Sequence, residues 1–310
     1  MGTSLFSGLP KRVTICEVGP RDGLQIEPGV VSTAEKIRYI DLLARSGLTL
    51  IEAASFVHPK LVPQMADATD VLAGIAKPPG VRFLVLTPNV RGYERARAAG
   101  ARGIAVFTAA SEAFAKRNIN MTIDESLAAA RDVLAAARED GIFTRASIST
   151  SFGCPYEGHV PVANVVRVAR TLLELGADEL SIADTIGVGT PNQVVDIVAA
   201  LQPHVPLERI GMHFHDTRGT ALANLLAALQ LGIARFDASS GGLGGCPFAP
   251  GATGNVATED VLYLLHGMGI ETGVDLERVR DASRYIAAVL GRPLASRTFA
   301  ALEAQRARSA

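Results

Sequence analysis

Short apolar runs alternate with longer stretches of helical periodicity from one end of the chain to the other. The runs at 13–17, 49–53, 81–86, 103–107, 144–149, 179–183, 210–214 and 235–238 have the length of buried strands. Between them lie helix start and stop signals. Ser32 and Glu35 form a capping box ahead of Ile37, Ile40 and Leu43, and Gly47 ends that stretch. Thr122 with Glu125 repeats the device before an alanine-rich stretch that stops at Gly141. Thr190-Pro191 pairs an N-cap with proline at the first helical position. Strand–helix units of about 30 residues, repeated along the chain, predict an α/β fold, a single (β/α)8 TIM barrel.

The chain has 310 residues, more than the roughly 250 typical of such a barrel. The barrel is expected at about 13–260 of a single domain, 1–310, and the surplus as extra C-terminal helices at about 261–295. The alanine- and arginine-rich tail after Arg297 is expected to be loosely held. A doubly wound sheet would carry a glycine fingerprint after its first strand; no GxGxxG or P-loop occurs.

Composition narrows the function classes. The formal net charge is −1, so no nucleic-acid or anionic-membrane surface is expected. No run of about 18 apolar residues suggests a membrane span, and residues 1–10 do not read as a signal peptide. Three cysteines, Cys16, Cys154 and Cys246, form no CxxC pair and point to free thiols in a reduced, cytoplasmic protein.

In a barrel, chemistry sits where the strands end at the C-terminal face. Polar groups occupy every predicted strand end: Arg21-Asp22, Glu52, Thr87 with Asn89, Thr108, Ser149-Thr150, Asp184-Thr185, His213 with His215, and Ser239-Ser240. That recurrence fits one shared pocket. His213 and His215 sit two apart, so on a strand both point to the same side. Two neutral imidazoles and a carboxylate are a common divalent-metal set. Asp22, His213 and His215 supply it, and Asn255 offers an amide oxygen. With no thiolate in the set, Mg2+ or Mn2+ is expected rather than structural Zn2+. Plainer roles exist for each: Asp22 as a turn residue before Gly23, Asn255 and Asp216 as helix caps. Arg21 is permanently charged and suits a developing enolate oxygen or a surface ion pair. Glu52 either holds Arg21 or forms a structural ion pair. Cys246, after four glycines in five residues, suits a proton-donating thiol on a closing loop or an inert packing residue. Cys16 is expected in the core and Cys154 in a structural loop.

The motifs 17–25 (EVGPRDGLQ), 118–120 (NIN), 154–158 (CPYEG), 184–191 (DTIGVGTP), 213–217 (HFHDT) and 242–247 (GLGGCP) resemble the 3-hydroxy-3-methylglutaryl-CoA lyase family over about residues 13–290. The resemblance implies a (β/α)8 barrel that binds an acyl-CoA and splits it to acetyl-CoA and a 3-oxo acid such as acetoacetate. Carried over residue by residue, Asp22, His213, His215 and Asn255 match the metal ligands. Arg21 matches the arginine at the enolate, and Cys246 the loop cysteine that protonates it. Glu52 matches a glutamate supporting Arg21, and Glu259 a further acidic position. Asp22 or a water on the cation would take the hydroxyl proton. The family also implies a homodimer or larger homo-oligomer.

Some positions depart from the family's pattern. Ile26-Glu27-Pro28 replace Asn-Glu-Lys, His58 stands where Ser is usual before Pro-Lys, and Met121 ends the NIN segment. On the fifth strand Ala146-Ser147 replace Gly-Tyr. Losing that tyrosine opens space near the acyl group, so a bulkier 3-hydroxy-3-substituted glutaryl-CoA is an alternative substrate. The competing readings are a Claisen-type synthase of the isopropylmalate or homocitrate kind and a non-catalytic ligand-binding barrel. The synthases usually read His-Asn-Asp where His215-Asp216-Thr217 stand, lack the cysteine loop and carry a regulatory domain for which this chain is too short.

Overall fold

The computed structural model describes residues 6–245 and 254–309. Eight strands close into one parallel barrel in chain order. They are β1 (Thr14–Glu17), β2 (Leu50–Ser55), β3 (Arg82–Leu86), β4 (Gly103–Ala109), β5 (Phe143–Ser149), β6 (Glu179–Asp184), β7 (Ile210–Phe214) and β8 (Arg235–Ala238). Each expected strand is present, with its ends shifted by at most two residues. The barrel closes where β1 pairs with β8, Thr14 opposite Arg235 and Cys16 opposite Asp237.

Helices α1 (Thr33–Ala44), α2 (Ala68–Gly74), α3 (Val90–Ala98), α4 (Glu112–Ile119), α5 (Ile123–Glu139), α6 (Val162–Glu174), α7 (Pro191–Leu201) and α8 (Ala221–Gln230) fill the crossovers. Their starts follow the local chemistry. Ser32 and Thr122 each accept from the third helical N–H, and the Glu35 and Glu125 carboxylates answer the cap's own N–H. Helices α9 (Thr258–Gly267), α10 (Leu276–Leu290) and α11 (Arg297–Ser309) follow the barrel. The last of these corrects the expectation of a loose tail. Its alanine, arginine, glutamate and glutamine residues are strong helix formers. Asp260 accepts from Thr298 N at its start (2.7 Å), and Arg284 clasps Glu303 through Nε at 2.8 Å and Nη2 at 2.6 Å. Among the described residues no helix is long and apolar enough to cross a membrane.

Alternation along the strands separates two interiors. Leu180, Ile182, Met212, Phe214, Phe236 and Ala238 point outward into the main core, where barrel meets helices. The intervening positions point into the barrel. On one side they form a small apolar cluster, Cys16, Val18, Leu50 and Leu84, with Phe143 against it. On the other side they are charged: Arg145, Glu179 and Asp237, all buried. Cys16 is thus core as expected, and burial pushes its thiol pKa up.

The helix–barrel layer carries most of the apolar burial, so its stability cost is testable. Ile182 is 0% exposed on the outer face of β6. Ile182→Ala should lower the unfolding free energy by about 2–5 kcal/mol through lost burial and a residual cavity. Equilibrium denaturation measures it; a loss below about 1 kcal/mol would mean this face is not the tightly packed layer described.

Candidate metal centre at the barrel mouth

Directly after β1, the chain makes one wide turn, Gly19–Gly23, in which the N–H groups of Arg21, Asp22 and Gly23 all converge on Val18 O at 2.8–3.2 Å. Glycine at 19 leaves room for the side chains packed on the turn: a Cβ there would lie 2.5 Å from both Glu17 Oε1 and Tyr39 Oη, which would have to move. The turn delivers two adjacent charged side chains to the mouth. Arg21 Nη1 donates to Asp22 Oδ1 at 2.6 Å, and Nη2 donates to Glu52 Oε2 at 2.8 Å. Glu52, from β2, therefore holds Arg21 in place. Burial opposes the charge on Arg21, but Glu52 and Asp22 outweigh it and raise its pKa further. Burial likewise opposes ionisation of Asp22, but Arg21 and the two imidazoles outweigh it and hold that carboxyl well below the usual range.

Strand β7 and the segment after β8 supply the other wall. The His213 and His215 rings lie 5.1 Å apart, centroid to centroid. His215 Nε2 stands 3.9 Å from Asp22 Oδ2. Asn255 is bridged to His215 through the backbone, and its Nδ2 donates to Asp22 Oδ2 (2.9 Å) and Leu243 O (3.1 Å). Gly244 permits this approach, since a Cβ there would come within 2.6 Å of Asn255 Nδ2. Asn255 is not a helix cap: α9 starts at Thr258, and Asn255 is buried beneath the mouth. Asp216 does serve the next helix, accepting from Ala221 N at 3.0 Å.

These side chains fit a divalent cation. One ligand atom each of Asp22, His213 and His215 lies within 4.8 Å of the others. Two buried polar atoms beside them, His215 Nδ1 and Asn255 Oδ1, have no hydrogen-bond partner among the described residues. Two imidazoles with a carboxylate are ordinary ligands of such ions.

Not every strand-end polar group joins the site. Asn89 caps α3, accepting from Gly92 N (2.9 Å), and Thr108 Oγ1 is bonded to Ser126 Oγ behind the barrel. Asp184 takes Val188 N (2.9 Å) and Gly189 N (2.8 Å). Asn89 and Asp184 thereby satisfy backbone amides, and Asp184 also lies within electrostatic reach of His215 and His213. Cys154 is buried in its loop and accepts from Ser111 Oγ at 2.9 Å, the structural role expected. Cys246 lies outside the described residues.

One group escaped the sequence reading. Asp237 Oδ2 stands 3.1 Å from His213 Nδ1, and Asp237 Oδ1 accepts from Arg145 Nη2 at 2.6 Å. The available signal was a charge at an inward-facing position in each of three strands, β5, β6 and β8.

A family model described as HMGL-like matches residues 12–286. The chain belongs to the HMGL-like family. It is a lyase. Among the relatives, the mitochondrial hydroxymethylglutaryl-CoA lyase of Rattus norvegicus is 51% identical over 295 residues, 95% of this chain and 91% of that protein. The crystal structure of hydroxymethylglutaryl-CoA lyase from Pseudomonas aeruginosa superposes with a TM-score of 0.94 at 52% identity, covering 96% of this chain and 99% of that one. An HMG-CoA lyase from Acinetobacter baumannii in complex with coenzyme A and 3-methylmalate gives 0.89 at 38% identity, covering 95% of each chain.

In this HMGL-like chain the mouth is braced by two buried glutamates. Glu17 accepts from Gly19 N (2.8 Å), Ser240 N (2.8 Å) and Thr258 Oγ1 (2.7 Å). Glu259, the further acidic position the resemblance brought in, accepts from Gly241 N (2.8 Å) and from Ser283 Oγ. It thus anchors the turn after β8 rather than joining the triad. Burial raises each of the two carboxyls to about 7 against these donors. A raised carboxyl pKa means the native state holds a proton that the unfolded chain has released. Their contribution is therefore complete below about 4.5, the ordinary value, and is lost as pH rises through about 7. Glu259→Gln should remove one such group. Between these two values the slope of unfolding free energy against pH should become less negative by up to about 1.4 kcal/mol per pH unit. Denaturant melts across that window check it; an unchanged slope would contradict the raised pKa.

Proposed function

We propose that this lyase cleaves 3-hydroxy-3-methylglutaryl-CoA to acetyl-CoA and acetoacetate, with Mg2+ or Mn2+ as cofactor, at the mouth described above. The observation that carries the reading is convergence: Asn255 donates to Asp22 across 233 residues of sequence, in the company of both imidazoles and Arg21. The names of relatives about half identical over nearly the whole chain support the substrate. The Acinetobacter baumannii complex with coenzyme A supports an acyl-CoA ligand.

The ligands would be Asp22, His213, His215 and Asn255. A divalent cation bound there supplies a Lewis acid that lowers the pKa of the substrate's tertiary hydroxyl. Asp22, ionised beside Arg21, would accept the proton of the tertiary hydroxyl. As the proton leaves, the oxygen lone pair forms the ketone. The carbon–carbon bond breaks, and its electron pair passes to the thioester fragment as an enolate. Arg21 steadies the enolate oxygen. Its orientation is set in advance by Glu52 and Asp22, so no reorganisation is needed during the reaction. Cys246 then delivers its thiol proton to the enolate carbon, completing acetyl-CoA.

Two outcomes test this. Exhaustive chelation should abolish acetyl-CoA release from 3-hydroxy-3-methylglutaryl-CoA, and Mg2+ or Mn2+ should restore it; full activity in the chelated enzyme would contradict the metal role. Cys246→Ser should lower turnover by about 100-fold or more while leaving Mn2+ affinity unchanged; near-normal turnover removes the thiol from the reaction.

One observation favours a second substrate. Ser147 is a small, only partly buried residue that faces into the barrel, in register with Phe107 and Ser181. A small side chain at this inward position would suit a larger substituent at C3. A panel of 3-hydroxy-3-alkylglutaryl-CoAs decides it: kcat/KM rising from methyl to ethyl or propyl selects the larger acyl chain, and a fall selects methyl.

A further inference from the structure

We infer that Asp237 and Arg145 are positioning residues for the metal centre: through them the barrel interior sets which nitrogen of His213 is free to bind a cation. The inference rests on the metal reading above and extends it to residues that touch neither substrate nor ion. Arg145 lies inside the barrel at 3% exposure, between two carboxylates. Its Nε donates to Glu179 Oε1 at 2.8 Å and its Nη2 to Asp237 Oδ1 at 2.6 Å. Glu179 Oε2 is in turn 3.3 Å from Arg235 Nη1 at the opposite barrel mouth. The other Asp237 oxygen, Oδ2, accepts from Ser181 Oγ (3.1 Å) and meets His213 Nδ1 (3.1 Å). A ladder Arg235–Glu179–Arg145–Asp237–His213 therefore runs through the barrel interior to the candidate ligand.

The chemistry follows from which groups are able only to donate. A guanidinium has no acceptor, so Arg145 always claims an oxygen of residue 237. A carboxylate has a second acceptor left for His213, which must then carry its proton on Nδ1. Nε2 keeps its lone pair and is the nitrogen available to a cation. The burial costs of Arg145, Glu179 and Asp237 are offset within the ladder because cations alternate with anions along it, the partly exposed Arg235 completing the alternation. Room for the arginine is itself built in: a Cβ at Gly211 would lie 2.7 Å from Arg145 Nη2.

Asp237→Asn separates this role from bulk stability. The asparagine carbonyl must stay with Arg145, so its NH2 turns to His213. The imidazole then protonates on Nε2 and presents no lone pair to the ion. Mn2+ affinity, measured by calorimetry on the intact chain, should fall by about 10- to 100-fold. Ile182→Ala, a destabilised variant away from the ladder, should keep wild-type Mn2+ affinity. In the metal-free wild type, nitrogen-15 NMR of the imidazoles above the His213 titration should show the Nδ1–H form. That spectrum needs no variant and decides the matter even if Asp237→Asn does not fold. An Nε2–H imidazole in the wild type, or a folded Asp237→Asn chain with undiminished affinity, overturns the inference alone. A wild type that binds no Mn2+ overturns the metal reading and the inference with it.

Discussion

Closure of the barrel between its first and last strands is the constraint on which the site depends. The β1–β8 pairing puts the turn that follows residue 18 beside the segment that follows residue 239: Val18 N donates to Ala238 O, and Ser239 N to Val256 O. Only then do Asp22 and Asn255 touch. No local propensity could bring them together; the work is done by a continuous ring of backbone hydrogen bonds whose outer face is buried beneath helices. The Asp22–Asn255 contact therefore rests on the barrel's own backbone hydrogen bonds, the support a preorganised electrostatic site needs.

A second constraint is charge. The mouth and interior hold four carboxylates, three buried and Asp22 partly buried, in contact with two arginines, Arg21 and Arg145, and each arginine bridges two of them. An isolated buried carboxylate would take up a proton. Asp22 stays ionised beside Arg21, and Asp237, where Arg145 and His213 overcome the effect of burial, is lowered to about 2. Glu17 and Glu259, which form no ion pair with a cation among the described residues, go the other way, to about 7. The same residue type thus serves as charged anchor or as near-neutral brace according to whether a guanidinium stands next to it.

Much of this was legible in the sequence because it is written in local periods. The eight strands, the capping boxes at Ser32 and Thr122 and the presence of extra helices after the barrel follow from spacing alone. His213 and His215 were legible as a pair because two residues apart on a strand means one side. Asp237 and Arg145 were not, since their meaning lies in a contact across 92 positions, and a charge inside an apolar run looks the same whether it faces helix or barrel. Asn89 and Thr108 misled for the converse reason: they do sit at strand ends, but their partners are an amide and a hydroxyl of the helices that follow. The tail after Arg297 was read from composition; its anchor, Asp260, lies 38 residues upstream of Thr298.

The most direct test of the account is crystallographic. Crystals grown with Mn2+ should show one strong anomalous-scattering peak per chain, coordinated by Asp22, His213 through Nε2, and His215. A peak elsewhere, or those three side chains in place around density with no anomalous signal at saturating Mn2+, would contradict it.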